Sequence, residues 1–391
     1  MKTQQIFDYP IFNLGFRAFF ALAGLSALAL IALWTSIFDG SLEMDNYYPS
    51  LYWHGHEMLL GYATAVISGF LLTAVKNWTG KQTIQGDSLA MLCLLWLYGR
   101  IVPFYSELLP DFIIAAIDFA FLPALIICVF KPIAEVDKPK MLLFPTLLSV
   151  MVLGNALIHA EVLGFAENTA TFGINLVVTT IIMMIMVIAG RVFPFFTERA
   201  LSGVLIIRNP LFDGLAIASA LCVFILLLMN VTGTTLAVAA IVAVITNIMR
   251  IGGWYVHRIW FLPLLWVLYI GYGWIILGFI LTALSAYNVI SPTLAIHAFT
   301  VGGIGVLTLG MMARVSLGHT GRALRVSNAI ALAFVLINVA SLFRVLMPFL
   351  LPDWYANMVY FSTLCWLAAF SLFILVYTPI LTAVREDGKE G

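Results

Sequence analysis

The sequence predicts an all-α polytopic membrane protein of twelve transmembrane helices, and three observations carry that expectation. The 391 residues are 63% hydrophobic and only 10% charged, with a mean hydropathy of +1.06. Soluble domains carry about 25% charged residues, so most of this surface must face lipid or other helices. The apolar runs reach the roughly 20 residues that a helix needs to cross the hydrocarbon. They are also too long, and alternate too little in polarity, to be the roughly ten-residue strands of a barrel.

The runs fall at 17–38, 52–75, 88–105, 111–130, 141–163, 170–196, 211–230, 234–251, 262–284, 292–313, 327–349 and 354–378. Only a short polar break at 230–233, Asn-Val-Thr-Gly, separates the seventh from the eighth. The loops between them sort by charge. One set holds Lys76 and Lys81; Lys131, Lys138 and Lys140; Arg199 and Arg208; Arg250 and Arg258; Arg322 and Arg325. The alternate set holds Asp39, Glu43 and Asp45; Glu107 and Asp111; Glu161 and Glu167; and Asp353, with no Lys or Arg. Basic loops stay cytoplasmic, so both termini are expected inside and the even-numbered spans run inward.

The whole chain, 1–391, reads as a single transmembrane domain in contact with the lipid bilayer. Its 19 basic and 19 acidic residues cancel, which gives no reason to expect a nucleic-acid partner. No signal peptide is expected, because the N-terminus lacks a short apolar core with a small-residue cleavage site. Cys93, Cys128, Cys222 and Cys365 all lie in apolar runs without a CxxC pair. They read as buried small hydrophobes rather than disulfides or thiolate ligands.

Four of the six histidines share one expected depth, in the outer third of the membrane. His54 and His56 head span 2, His159 ends span 5 and His297 heads span 10. His257 and His319 lie at the opposite face, on the order of 30 Å away at 1.5 Å per helical residue. Each histidine alone could be a hydrogen-bonded core residue. Together they point to a metal or heme site, since ionisable groups in membranes are costly and tend to be functional and imidazole suits iron, copper and zinc.

On an ideal helix His54 and His56 point about 200° apart, while His54 and Glu57 share a face. Either the helix begins after His54, or the two histidines serve different centres. Glu57 has three readings: partner to an imidazole, carrier of a catalytic proton, or a carboxylate favoured by the helix dipole.

Spans 2 and 10 superpose without gaps: His56, Gly61, Gly69, Thr79 and Gly80 match His297, Gly302, Gly310, Thr320 and Gly321. Span 6 joins through Arg191, Val192, Thr197 and Arg199, which match Arg314, Val315, Thr320 and Arg322. The following spans agree as well, with Arg100 and Pro103-Phe104 resembling Arg344 and Pro348-Phe349. This suggests a three-fold 4+4+4 pseudo-repeat, with units around spans 1–4, 5–8 and 9–12. Such an arrangement resembles the catalytic subunit of heme–copper oxidases, a likeness at the level of fold.

Arg100 and Arg344 share the depth of the histidines, where guanidinium would clamp buried carboxylates such as heme propionates. Arg191 and Arg314, near the cytoplasmic ends, are expected to snorkel. The glycines Gly61 and Gly302 after the repeat-related histidines would let a flat macrocycle lie against the helix.

Several stretches resemble the NnrS family: WHGHEMLLGYATAVISGFLLTAVKNWTG (53–80), NALIHAE (155–161), GRVFPFFTERAL (190–201), PLLWVLYIGYGWIILG (263–278) and HAFTVGGIGVLTLGMMARVSLGHTGR (297–322). The resemblance implies a bacterial inner-membrane protein containing heme b and copper and associated with nitric oxide and nitrosative stress in denitrifiers. Family members often carry histidine where this sequence has Tyr269, which puts a ligand role there in doubt.

On that reading His56 and His297 would bind one heme, His54 and His159 a second centre, and Arg100 and Arg344 the propionates. Turnover of nitric oxide would require a separate electron donor, because no CxxCH heme-attachment site is present. The alternative is a non-catalytic protein that sequesters nitric oxide or moves heme or metal across the membrane.

Overall fold

The computed structural model describes residues 9–388. Within them lie twelve helices long and apolar enough to cross a membrane, and no strand. They are α1 (Gly15–Phe38), α2 (Ser50–Thr79), α3 (Asp87–Tyr105), α4 (Asp111–Ala134), α5 (Pro139–Val162) and α6 (Ala170–Ala200), followed by α7 (Pro210–Leu228), α8 (Thr234–Trp254), α9 (Pro263–Ser285), α10 (Pro292–His319), α11 (Asn328–Leu350) and α12 (Pro352–Thr382). Each corresponds to one apolar run of the sequence.

Local chemistry sets several of the ends. α7 and α10 start with proline in the first turn behind a capping side chain, Asn209 accepting from Leu211 N and Ser291 from Thr293 N. Such a cap satisfies an N–H that the helix leaves unpaired, and proline loses nothing there. α2 stops at Gly80, whose φ of 72° lies in the left-handed region open to glycine.

The helices gather into two compact units. The first comprises residues up to 180, 312–324 and from 370 onward. Small residues let its helices approach closely, as is usual inside membranes. A Cβ on Gly69 of α2 would lie 2.8 Å from the Phe20 ring of α1, and one on Gly154 of α5 would lie 2.9 Å from the Gly173 carbonyl of α6. Arg17, fully buried in α1, donates to the carbonyls of Leu381 and Ala383 at 2.9 and 2.6 Å. A cation thereby meets the negative end of α12.

The second unit comprises residues 181–311 and 325–369. Its α8 carries Arg250, which the sequence assigns to a basic loop. The structure instead buries it within the helix, paired with Asp213 at 2.7 Å and bonded to Tyr272 Oη at 2.9 Å. Tyr272 passes its own proton donor to Asn247 Oδ1 at 2.6 Å. A second correction concerns Arg314 in the first unit, which is buried rather than snorkelling. Cys93 and Cys365 are buried as expected, but Cys222 is exposed. An apolar run has a lipid-facing side, and a small thiol is at home there as well.

Both helices headed by the repeat-related histidines depart from α geometry in the same place. In α2 a π-helical segment spans Glu57–Ala63, immediately after His56. In α10 one spans Ala298–Gly305, immediately after His297. Such segments widen the turn and often accompany functional sites. Within this segment of α2 the Gly61 carbonyl accepts from Trp96 Nε1 and from the Thr64 hydroxyl, each at 3.1 Å.

Candidate metal centre

α2 is helical from Ser50 onward, so His54 lies inside it and the two histidines of this stretch point apart. His54 stacks on Trp34 of α1, with ring centroids 4.1 Å apart. His56 turns the other way, into the first unit, where it is fully buried. Its ring stacks against Tyr48 at 4.4 Å between centroids.

Around His56 the first unit assembles polar side chains from three other helices and one loop. α4 contributes Asp118, which is 2% exposed, and α5 contributes Asn155 and His159. α3 contributes Arg100, and the loop before α2 contributes Tyr47 and Tyr48. Asp118 Oδ2 lies 3.1 Å from His56 Nε2, 3.0 Å from His159 Nε2 and 3.0 Å from Asn155 Nδ2. One ligand atom from each of His56, Asp118 and His159 falls within 4.8 Å of the others. Two imidazoles and a carboxylate at that spacing form a donor set for a first-row metal ion.

The outward nitrogens support the same arrangement. His56 Nδ1 lies 3.0 Å from Glu57 Oε1, and His159 Nδ1 lies 3.0 Å from Tyr47 Oη. Protons on both Nδ1 atoms would bond these acceptors and leave both Nε2 lone pairs facing Asp118. This is how metal-binding imidazoles are commonly oriented.

Charge points in the same direction. Arg100 donates to Glu57 Oε1 at 2.8 Å and, through Nη2, to Asp118 Oδ1. Two buried carboxylates therefore share one guanidinium, leaving one negative charge when both imidazoles are neutral. Glu57 Oε2 is buried without a hydrogen-bond partner, which adds to the need for a cation. Burial, followed by the Asp118 charge, raises the Tyr48 hydroxyl well above its ordinary range, so it remains protonated. It meets His56 Nε2 at 3.1 Å.

His297 occupies a different setting, in the second unit. Its Nδ1 donates to the Thr293 carbonyl at 2.7 Å, and its Nε2 accepts from Arg344 Nη2 at 3.1 Å. His159 thus joins His56, whereas His54 and His297 are engaged elsewhere. Tyr269 is buried, donating to the Trp254 carbonyl at 2.7 Å and lying 3.0 Å from Thr197 Oγ1.

The two glycines expected to seat a macrocycle face protein groups. A Cβ on Gly61 would lie 3.1 Å from Glu57 Oε2 and 3.2 Å from Arg100 Nη1, and one on Gly302 would lie 2.6 Å from the Trp274 ring. The open apolar groove of about 710 Å³ along α9 and α11, lined by Trp266, Gly273, Trp274 and Asn338, has no histidine in its walls. The residues present fit a metal ion at His56, Asp118 and His159. They do not offer a heme a face beside Gly61 or Gly302.

Sequence reasoning missed Asp118, Asn155, Tyr47 and Tyr48. Asp118 had a legible signal, because it is the only charged residue between Phe112 and Phe130. A lone carboxylate in a span calls for a partner. Asn155 sits one helical turn before His159, on the same face.

No curated protein sequence matches the chain. A family profile, described as NnrS protein, matches residues 10–385, nearly the full length. With that match, the twelve spans and the shared sequence motifs, the chain belongs to the NnrS family.

Proposed function

We propose that this protein is a metal-dependent membrane component of the response to nitric oxide, with its centre at His56, Asp118 and His159. The convergence of two Nε2 atoms on one carboxylate oxygen, each ring anchored through Nδ1, carries the reading. Family membership supplies the association with nitric oxide and with copper. The bound ion would supply a site for a small diatomic ligand and a route for electrons from a separate donor. A bacterial inner membrane is the setting this implies, with the acidic loops facing the periplasm and both termini in the cytoplasm.

The chain's own residues have definable work. Glu57 holds the Nδ1 proton of His56, and Arg100 locks Glu57 and Asp118 in place. Tyr47 holds the outer nitrogen of His159. Tyr48 keeps its proton, as its burial requires, and can donate a hydrogen bond toward a ligand beside His56. With the ring stacked on the imidazole, Tyr48 also excludes water from that side.

The test is the metal and heme stoichiometry of the purified protein, together with anaerobic nitric oxide consumption in the presence of a reductant. The wild type should hold about one metal ion that is lost in His56→Gln and His159→Gln. Full metal content in both variants would sink the assignment. Binding of nitric oxide without consumption would leave sequestration as the activity.

A further inference from the structure

Arg100 and Arg344 occupy matching stretches of the repeat, yet their charges are compensated in opposite ways. Arg100 faces two carboxylates. Arg344 faces none: among the described residues no ion pair joins it to an acidic side chain. The position matching Glu57 is Ala298, so no carboxylate follows His297 as Glu57 follows His56.

The neighbours of Arg344 add no negative charge. Nη2 donates to His297 Nε2, and His297 spends its own proton on the Thr293 carbonyl, which makes the ring neutral. The guanidinium carbon lies 5.7 Å from the Tyr355 ring centre. Arg344 Nη1 is buried and has no hydrogen-bond partner. A guanidinium inside a span with a buried unused donor is a cation short of an anion. Its planar edge matches the geometry of a carboxylate or a similar oxyanion.

We infer that Arg344, backed by His297 and Tyr355, is a binding site for a small planar oxyanion or carboxylate group. The ligand takes the Nη1 edge, and His297 holds the opposite edge through Nη2. The ligand of this chemistry is a free monovalent anion such as formate or nitrite. The site belongs to the second unit and does not rest on the metal reading.

The experiment is a thermal-unfolding titration of the purified full-length protein with sodium formate and sodium nitrite, replacing chloride at constant ionic strength. Wild type should show a saturable rise in its unfolding temperature, because a ligand that binds only the folded state stabilises it. Arg344→Gln should abolish the rise. Arg344→Lys, which keeps the charge but loses the planar fork, should weaken binding roughly 10-fold to 100-fold. Asp118→Asn should lose metal and keep the anion response, which separates this site from the metal centre. A wild type that does not respond overturns the proposal, as does an unchanged response in Arg344→Gln.

Discussion

Replacing Asp118 with asparagine keeps the side chain's size and removes its charge. In the folded protein this carboxylate accepts from Arg100 and Asn155 and lies between His56 Nε2 and His159 Nε2. The amide can bring its one oxygen to the imidazole side or to Arg100, not to both: its NH2 group either faces Arg100, donor against donor, or turns to the imidazoles and occupies the Nε2 lone pairs that would hold the metal. Breaking a buried charged pair costs about 3–5 kcal/mol. At about 1.4 kcal/mol per factor of ten, metal affinity should fall by two to four orders of magnitude. The assay is competition with a chelator of known affinity, reading metal retained by the purified protein. His54→Gln is the control, because His54 packs on Trp34 outside the centre, and it should stay within about threefold of wild type. A folded Asp118→Asn protein with wild-type affinity would refute the assigned donor set.

Arg100→Gln should destabilise the protein by about 3–5 kcal/mol, because it strands two buried carboxylates. Adding Glu57→Gln should recover part of that loss, and a thermal-unfolding double-mutant cycle should give a coupling of about 0.5–3 kcal/mol. Gly302→Ala should destabilise by about 1–3 kcal/mol, since its Cβ would overlap the Trp274 ring. Gly273→Ala, where nothing lies within 4 Å of the new methyl, should be neutral or stabilising by up to about 1 kcal/mol. Alkaline stability should depend on Tyr48, whose folded-state hydroxyl is raised above its ordinary value of 10.0, chiefly by burial. The folded form then holds the proton more tightly than the unfolded chain. Its contribution is therefore fully present below about pH 10 and lost as pH rises through the raised value. Tyr48→Phe should flatten the decline in unfolding temperature above pH 10, and an unchanged slope would count against this origin.

The twelve spans were legible because crossing a membrane is a one-dimensional property. Run length and the absence of charge decide it residue by residue, and every predicted run became a helix within a few residues of its expected ends. The structure places a π-helical segment directly after each of His56 and His297. Side-chain direction was a different matter. Four histidines at one expected depth read as one cluster, but depth says nothing about rotation of a helix about its axis. Helix rotation follows from packing. The start of α2 at Ser50 turns His54 onto Trp34 and His56 inward. Asp118 meets His159 only because α4 and α5 bring together residues 41 apart in the chain. The opposite charge balance at Arg100 and Arg344 left one trace in the repeat, Ala298 opposite Glu57, but the pairing of Arg100 with Asp118 left none. It depends on which side chains surround each guanidinium, and only the packed fold sets that.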